Sequence, residues 1–176
     1  MEQFWESVVG TTIRQGDYLP ACLVPVFPAD FAQQDNAPVT VTTREYDLIV
    51  VTQSCDLEHG KATFVALCPI WSVIEFEKAQ DDHPRSKWRY HWNNVRKGRM
   101  PSLHLLASPS KPADTDQALV VDFREIHSLP LSYLSRRARD VGKRWRLRSP
   151  FLEHFSQAFA RCFMRVGLPS SIPEFR

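Results

Sequence analysis

Two apolar runs dominate the middle of the chain: Asp47-Leu48-Ile49-Val50-Val51-Thr52, and Ala62-Thr63-Phe64-Val65-Ala66-Leu67-Cys68-Pro69-Ile70. Neither alternates, which is the pattern of a strand buried on both faces, so both are predicted as central strands. Upstream, Ile13 to Leu19 leads into Cys22 to Phe27, with Gly16-Asp17 as a turn or bulge signal between β-prone segments. Prolines 20, 25 and 28 give that second segment the character of an edge or irregular strand. Val39 to Thr43 and Leu119 to Phe123 read as further strands. Arg144 to Arg148 alternates, placing Trp145 and Leu147 on one side and Arg144, Arg146 and Arg148 on the solvent side.

Helical periodicity appears in four places. Phe4, Trp5, Val8 and Val9 make one stripe in residues 1–9, and residues 72–80 suit a short helix. Leu131 to Val141 turns Leu131, Leu134, Ala138 and Val141 inward and is stopped by Gly142. The last helix spans about 150–166: Ser149 is the expected N-cap, Pro150 the first helical position, and Phe151, Phe155, Phe159 and Phe163 recur every four residues. Leu152, Cys162 and Val166 flank that stripe, and Gly167 and Pro169 end it. A polar loop is expected at 29–37. Residues 81–118 are expected to be irregular and Pro-rich, within an insertion covering about 71–118. The fold class is therefore α+β and β-rich, one domain over residues 1–176, closed by an amphipathic C-terminal helix.

Composition narrows the setting. With 43% hydrophobic and 24% charged residues, the chain has a globular balance that excludes wholesale disorder. Acids replace the usual Lys or Arg in Met1-Glu2-Gln3-Phe4-Trp5-Glu6, and no apolar run reaches the roughly 20 residues that span a bilayer. A cytoplasmic protein without membrane contact is expected. The cysteines at 22, 55, 68 and 162 form no CxxC pair, so they read as free thiols, with Cys68 and Cys162 as core residues. The histidines at 59, 83, 91, 104, 127 and 154 lack ligand spacing, and no glycine-rich phosphate loop is present. No metal and no cofactor is expected.

Charge changes the picture more. Residues 1–82 carry 4 basic and 13 acidic side chains, whereas residues 83–148 carry 15 basic and 5 acidic. Such a chain either presents a basic face to an anionic partner or neutralises itself across the fold. The densest cationic stretch is Arg85-Ser86-Lys87-Trp88-Arg89-Tyr90-His91-Trp92, continuing through Arg96, Lys97 and Arg99. As a strand it would put Trp88, Tyr90 and Trp92 on one face, where bases stack, and cations on the other, where phosphates pair. The alternative is a strand that buries its aromatics. Arg136, Arg137, Arg139, Lys143, Arg144, Arg146 and Arg148 would extend this into a phosphate track.

A second candidate is the turn Gln53-Ser54-Cys55-Asp56-Leu57-Glu58-His59-Gly60-Lys61, which sets a thiol, a carboxylate and an imidazole at one rim. Contact between Cys55 and His59 would activate the thiol as a nucleophile. The plainer reading is a connecting turn in which Asp56 and Ser54 bond backbone amides.

The order of these pieces resembles the PemK/MazF superfamily of SH3-like barrels. The likeness is carried by Ile13-Arg14-Gln15-Gly16-Asp17, by Leu48 to Thr52, by Phe64 to Pro69-Ile70, and by Val121-Asp122-Phe123-Arg124-Glu125-Ile126 ahead of Leu129 to Leu134. The resemblance implies an SH3-like small barrel, metal-independent endoribonuclease activity, an antitoxin or other protein partner, a homodimer, and a toxin–antitoxin or defence-type setting. The position of the family's Arg carries Tyr46, with Arg44 two residues earlier on the same strand face; the position of its Ser or Thr carries Trp71, beside Ser72. Arg44, Cys55, Asp56 and His59 are thus the candidate catalytic set, with RNA or single-stranded nucleic acid as partner. The reading from another class is a non-catalytic sensor or interaction subunit that binds a partner or small ligand at the Cys55 rim.

Overall fold

A computed structural model of the chain describes residues 3–28, 40–79, 84–111 and 113–164. The polar loop expected at 29–37 lies outside them, as do Val39, His83, Val166, Gly167 and Pro169. The strands are β1 (Trp5–Val8), β2 (Asp17–Val26), β3 (Thr42–Val50), β4 (Phe64–Ser72), β5 (Leu103–Leu106), β6 (Leu119–Asp122), β7 (His127–Pro130) and β8 (Arg144–Leu147). The helices are α1 (Ser54–Glu58), α2 (Val73–Ala79), α3 (Arg85–Arg96), α4 (Leu131–Val141) and α5 (Phe151–Phe163). The protein is α+β, built on an open antiparallel sheet in the order β1-β8-β2-β3-β4-β6-β5, with β7 also paired to β4.

The two apolar runs form the central strands as expected, and the reason is visible in the packing. Leu48, Val50, Val65 and Leu67 face one core, closed by α4 through Leu134 and Ala138. Ile49, Val51, Cys68 and Ile70 face a second core, closed by α5 through Phe155 together with Trp5 and Leu147. A strand between two cores has no polar face to offer, hence no alternation. A third core joins Phe76, Trp88, Val95, Leu103 and Val120.

Gly16 shows how tightly α5 is seated. Its φ is +79°, and a Cβ there would stand 2.9 Å from Leu152 Cδ1 and 3.0 Å from Leu147 Cβ. Only glycine meets both demands. Just beyond it, the β2–β3 register slips between Leu19 and Cys22, where Ala21 takes φ 52°. Asp47 braces this bulge, accepting from Ala21 N at 2.8 Å and from the Tyr18 hydroxyl.

Several expectations are corrected. Residues 5–8 are a strand, because pairing with β8 in the register Trp5↔Leu147 satisfies their backbone while Trp5 is buried. The described part of residues 81–118 is not irregular: α3, β5 and a 3₁₀ turn at Thr115–Gln117 lie within it. Ser149 does not cap α5, whose N-cap residue is Pro150 with no side-chain cap bond. Arg144 does not face solvent; it is 3% exposed.

Candidate functional site

Four places gather the chemistry-bearing residues. Arg44 stands in the first half of β3, whereas Cys55, Asp56 and His59 follow the far end of that strand, on α1 and its C-cap.

The α1 rim is a braced turn. Ser54 Oγ accepts from Gln15 N at 3.1 Å, Gln15 Nε2 donates to Val51 O at 3.1 Å, and Thr52 Oγ1 accepts from Ala66 N at 2.7 Å. Asp56 contributes its backbone carbonyl, which accepts from Lys61 N and Ala62 N. Cys55 is exposed, and its thiol approaches Gln53 Oε1 at 3.6 Å and Asp56 Oδ1 at 3.9 Å rather than the His59 ring. His59 is tied back through its main chain, His59 N donating to Cys55 O at 3.1 Å. Cys22 and Cys68 behave as core groups, burial pushing both up to about 12, whereas Cys162 is half-buried against the second core.

The basic, aromatic stretch is a helix, so its aromatics divide by the helical period. Trp88 and Trp92, one turn apart, stack at 5.6 Å and turn inward onto Phe76. Trp92 Nε1 donates to Glu77 Oε1 at 2.6 Å. Tyr90 points the other way and is 71% exposed. Lys87, Arg89, Arg96 and Lys97 are exposed with it, while the side chain of Arg85 lies outside the described residues. An open cavity of about 520 Å³ lies along this helix, lined by Lys87, Trp88, Tyr90, His91, Asn94 and Met100.

The third basic group divides as well. Arg136 is exposed on α4, and Arg137 donates from Nε to Pro20 O at 2.9 Å. Arg144 and Arg146 converge on Asp17, whose carboxylate is wholly buried. Their side chains are 1% and 14% exposed, so both guanidiniums are directed inward and away from a surface track.

A fourth cluster draws Arg44, Tyr46, Trp71 and Glu125 from positions the resemblance names, and adds His127, which no spacing signals. β3 and β7 flank β4, and this brings the Tyr46 and His127 rings to 4.9 Å. Trp71 meets the Tyr46 ring edge-on at 6.0 Å. Arg44 lies over the Tyr46 ring, 5.2 Å from its centroid, and His127 Nε2 is 3.1 Å from Glu125 Oε1. Burial holds the Tyr46 phenol above its usual value; Glu125 adds to this and Arg44 opposes it. Among the described residues no group of three or more His, Cys, Asp or Glu side chains could hold a metal ion. No described helix is long and apolar enough to cross a membrane. No protein-family model matches the chain, and no curated protein sequence matches it at a significant level.

Proposed function

We propose that this chain is a divergent PemK/MazF-like protein that engages RNA along the outer face of α3. The observation that carries this reading is Tyr90, 71% exposed on a helix whose solvent side also bears Lys87, Arg89 and Arg96, with no acid between Arg85 and Arg99. An exposed ring among cations is a stacking platform with phosphate partners, which favours unpaired bases over duplex. Arg136 adds a cation on α4. On this reading β2, β3, β4, β7 and β8 correspond to the strands of an SH3-like barrel. The place in a toxin–antitoxin or defence-type module follows from the family resemblance alone.

Fluorescence anisotropy with a single-stranded RNA tests the proposal. Tyr90→Ala should weaken binding by about 1–3 kcal/mol, the usual worth of one base–aromatic stack. Affinity should fall steeply with salt, and Lys87→Ala or Arg89→Ala should flatten that slope by about one counterion each. A binding curve insensitive to both salt and Tyr90 would reject the reading.

A further inference from the structure

The solvent side of α3 carries two stripes. Arg89, Asn93 and Arg96 share one, and Lys87, Tyr90 and Asn94 share the other, at spacings that return to one face of a helix. The second stripe is the one that lines the open cavity of about 520 Å³. This cavity lies in the segment between β4 and β6 that the family resemblance does not include, so its lining is particular to this chain.

Each member of the stripe brings a different chemistry. Lys87 is an exposed cation. Tyr90, one turn on, offers a ring that is 71% exposed. Asn94, a further turn on, is half-buried and carries an amide with an acceptor and two donors. Arg99 Nη1 donates to Asn94 Oδ1 at 3.4 Å, which holds the amide oxygen toward the turn after α3. An amide oxygen has two lone pairs, so this contact leaves one for a ligand beside the N–H donors. Met100, in that same turn, packs on the third core and adds a polarisable thioether to the cavity wall. No carboxylate is among the described lining residues, so none of them repels a phosphate. Lys87 and Asn94 stand about 10 Å apart along the helix axis, the reach of one nucleotide from its phosphate to the far edge of its base.

We propose that this cavity reads a base and selects adenine in single-stranded RNA, with Lys87 on the phosphate, Tyr90 stacked on the base and Asn94 on its edge. This rests on the RNA reading above and adds base selectivity to it. Adenine sets an amino donor beside a ring-nitrogen acceptor, N6 and N7, which the acceptor and donor of one amide meet together. Guanine sets two acceptors there, O6 and N7, and would bring O6 against Asn94 Oδ1. Cytosine and uracil have a single ring and cover less of Tyr90 and Met100. Arg89 and Arg96, on the other stripe, meet neighbouring phosphates and carry no base information.

The test measures anisotropy of four labelled RNA strands, uridine throughout except for a central A, G, C or U. The adenine strand should bind at least about fivefold tighter than the other three. Asn94→Ala puts the strongest helix former at a half-buried position, so a lost preference is not a lost fold. It should bring the four affinities within about twofold of one another. Tyr90→Ala should weaken all four, because stacking tolerates any base. AMP as competitor separates a base in a strand from a free nucleotide. Without the phosphates that Arg89 and Arg96 meet, it should need at least about tenfold more than the unlabelled adenine strand. Equal binding of the four strands, or an adenine preference that survives Asn94→Ala, would overturn this inference and leave the RNA reading intact. AMP competing as well as the strand would assign the pocket to a free nucleotide and likewise overturn it. Binding of none of the strands would overturn both.

Discussion

Asp17 sits at zero exposure and still keeps its charge partners close. Arg144 Nη2 reaches its Oδ2 at 3.1 Å, Arg146 Nη2 reaches the same oxygen at 3.0 Å, and Arg14 N donates to it at 3.1 Å. Arg144 also donates from Nη1 to Gly10 O at 2.6 Å, tying the turn before β2 to β8. Desolvating three charges is costly, so the cluster contributes less to net stability than its bond count suggests. Breaking it is another matter. Asp17→Asn leaves a buried guanidinium without its counter-charge and should destabilise by about 3–5 kcal/mol in urea unfolding. A loss below about 1 kcal/mol would mean that the main-chain acceptors alone hold Arg144. This same cluster explains why Arg144 and Arg146 leave the basic surface. Alternation gave their faces, but a partner 127 positions away decides which face is buried.

At the scale of elements, α3 shows how period and context compete. Aromatics at 88, 90 and 92 fit a strand's period of two, while 88, 92 and 95 fit a helix. The apolar pocket made by Phe76, Leu103 and Val120 selects the helix, since it accepts Trp88, Trp92 and Val95 together. Residues 5–8, read as helical from their periodicity, went the opposite way: all four pair along the edge of β8. The C-terminal helix was the clearest element in the sequence, and its stripe is graded by contact. Phe155 is fully buried against Phe123 at 5.6 Å, whereas Phe163 is 56% exposed. Phe155→Ala should therefore cost about 3–5 kcal/mol and Phe163→Ala under about 1 kcal/mol, read as shifts in the urea midpoint. Equal losses would mean that the stripe does not pack as a graded wedge.

Across the whole molecule, acidity should act through a group that no candidate site uses. His104 on β5 stacks on Phe123 at 6.1 Å and meets Phe155 edge-on at 5.8 Å. Burial pushes its pKa down to about 4, with His154 adding to the effect, from an ordinary 6.5. The unfolded chain therefore binds the extra proton between these two values. The stability held in the neutral ring is complete above pH 6.5 and is lost as pH falls toward 4, about 3 kcal/mol in all. Urea unfolding at pH 7.5 and 4.5 checks this: His104→Phe should reduce the acid loss relative to wild type, and equal losses would remove His104 as the cause.

What the sequence determined by itself were the features carried by neighbours in the chain: the two non-alternating central strands, the helix ending at Gly142, the phenylalanine stripe, and the concentration of cations after residue 83. Burial periodicity and backbone chemistry are local, so they are legible locally. Tertiary structure decided what depends on partners distant in sequence. It chose helix over strand for the basic aromatic segment, turned Arg144 inward to Asp17, and set Arg44 apart from Cys55. It also brought Tyr46 and His127 together across β4 from positions 81 residues apart, which no spacing rule could anticipate. The physical reason is that β-sheet neighbours are set by pairing order rather than by sequence distance, and the facing side chains of such a cluster come from different strands.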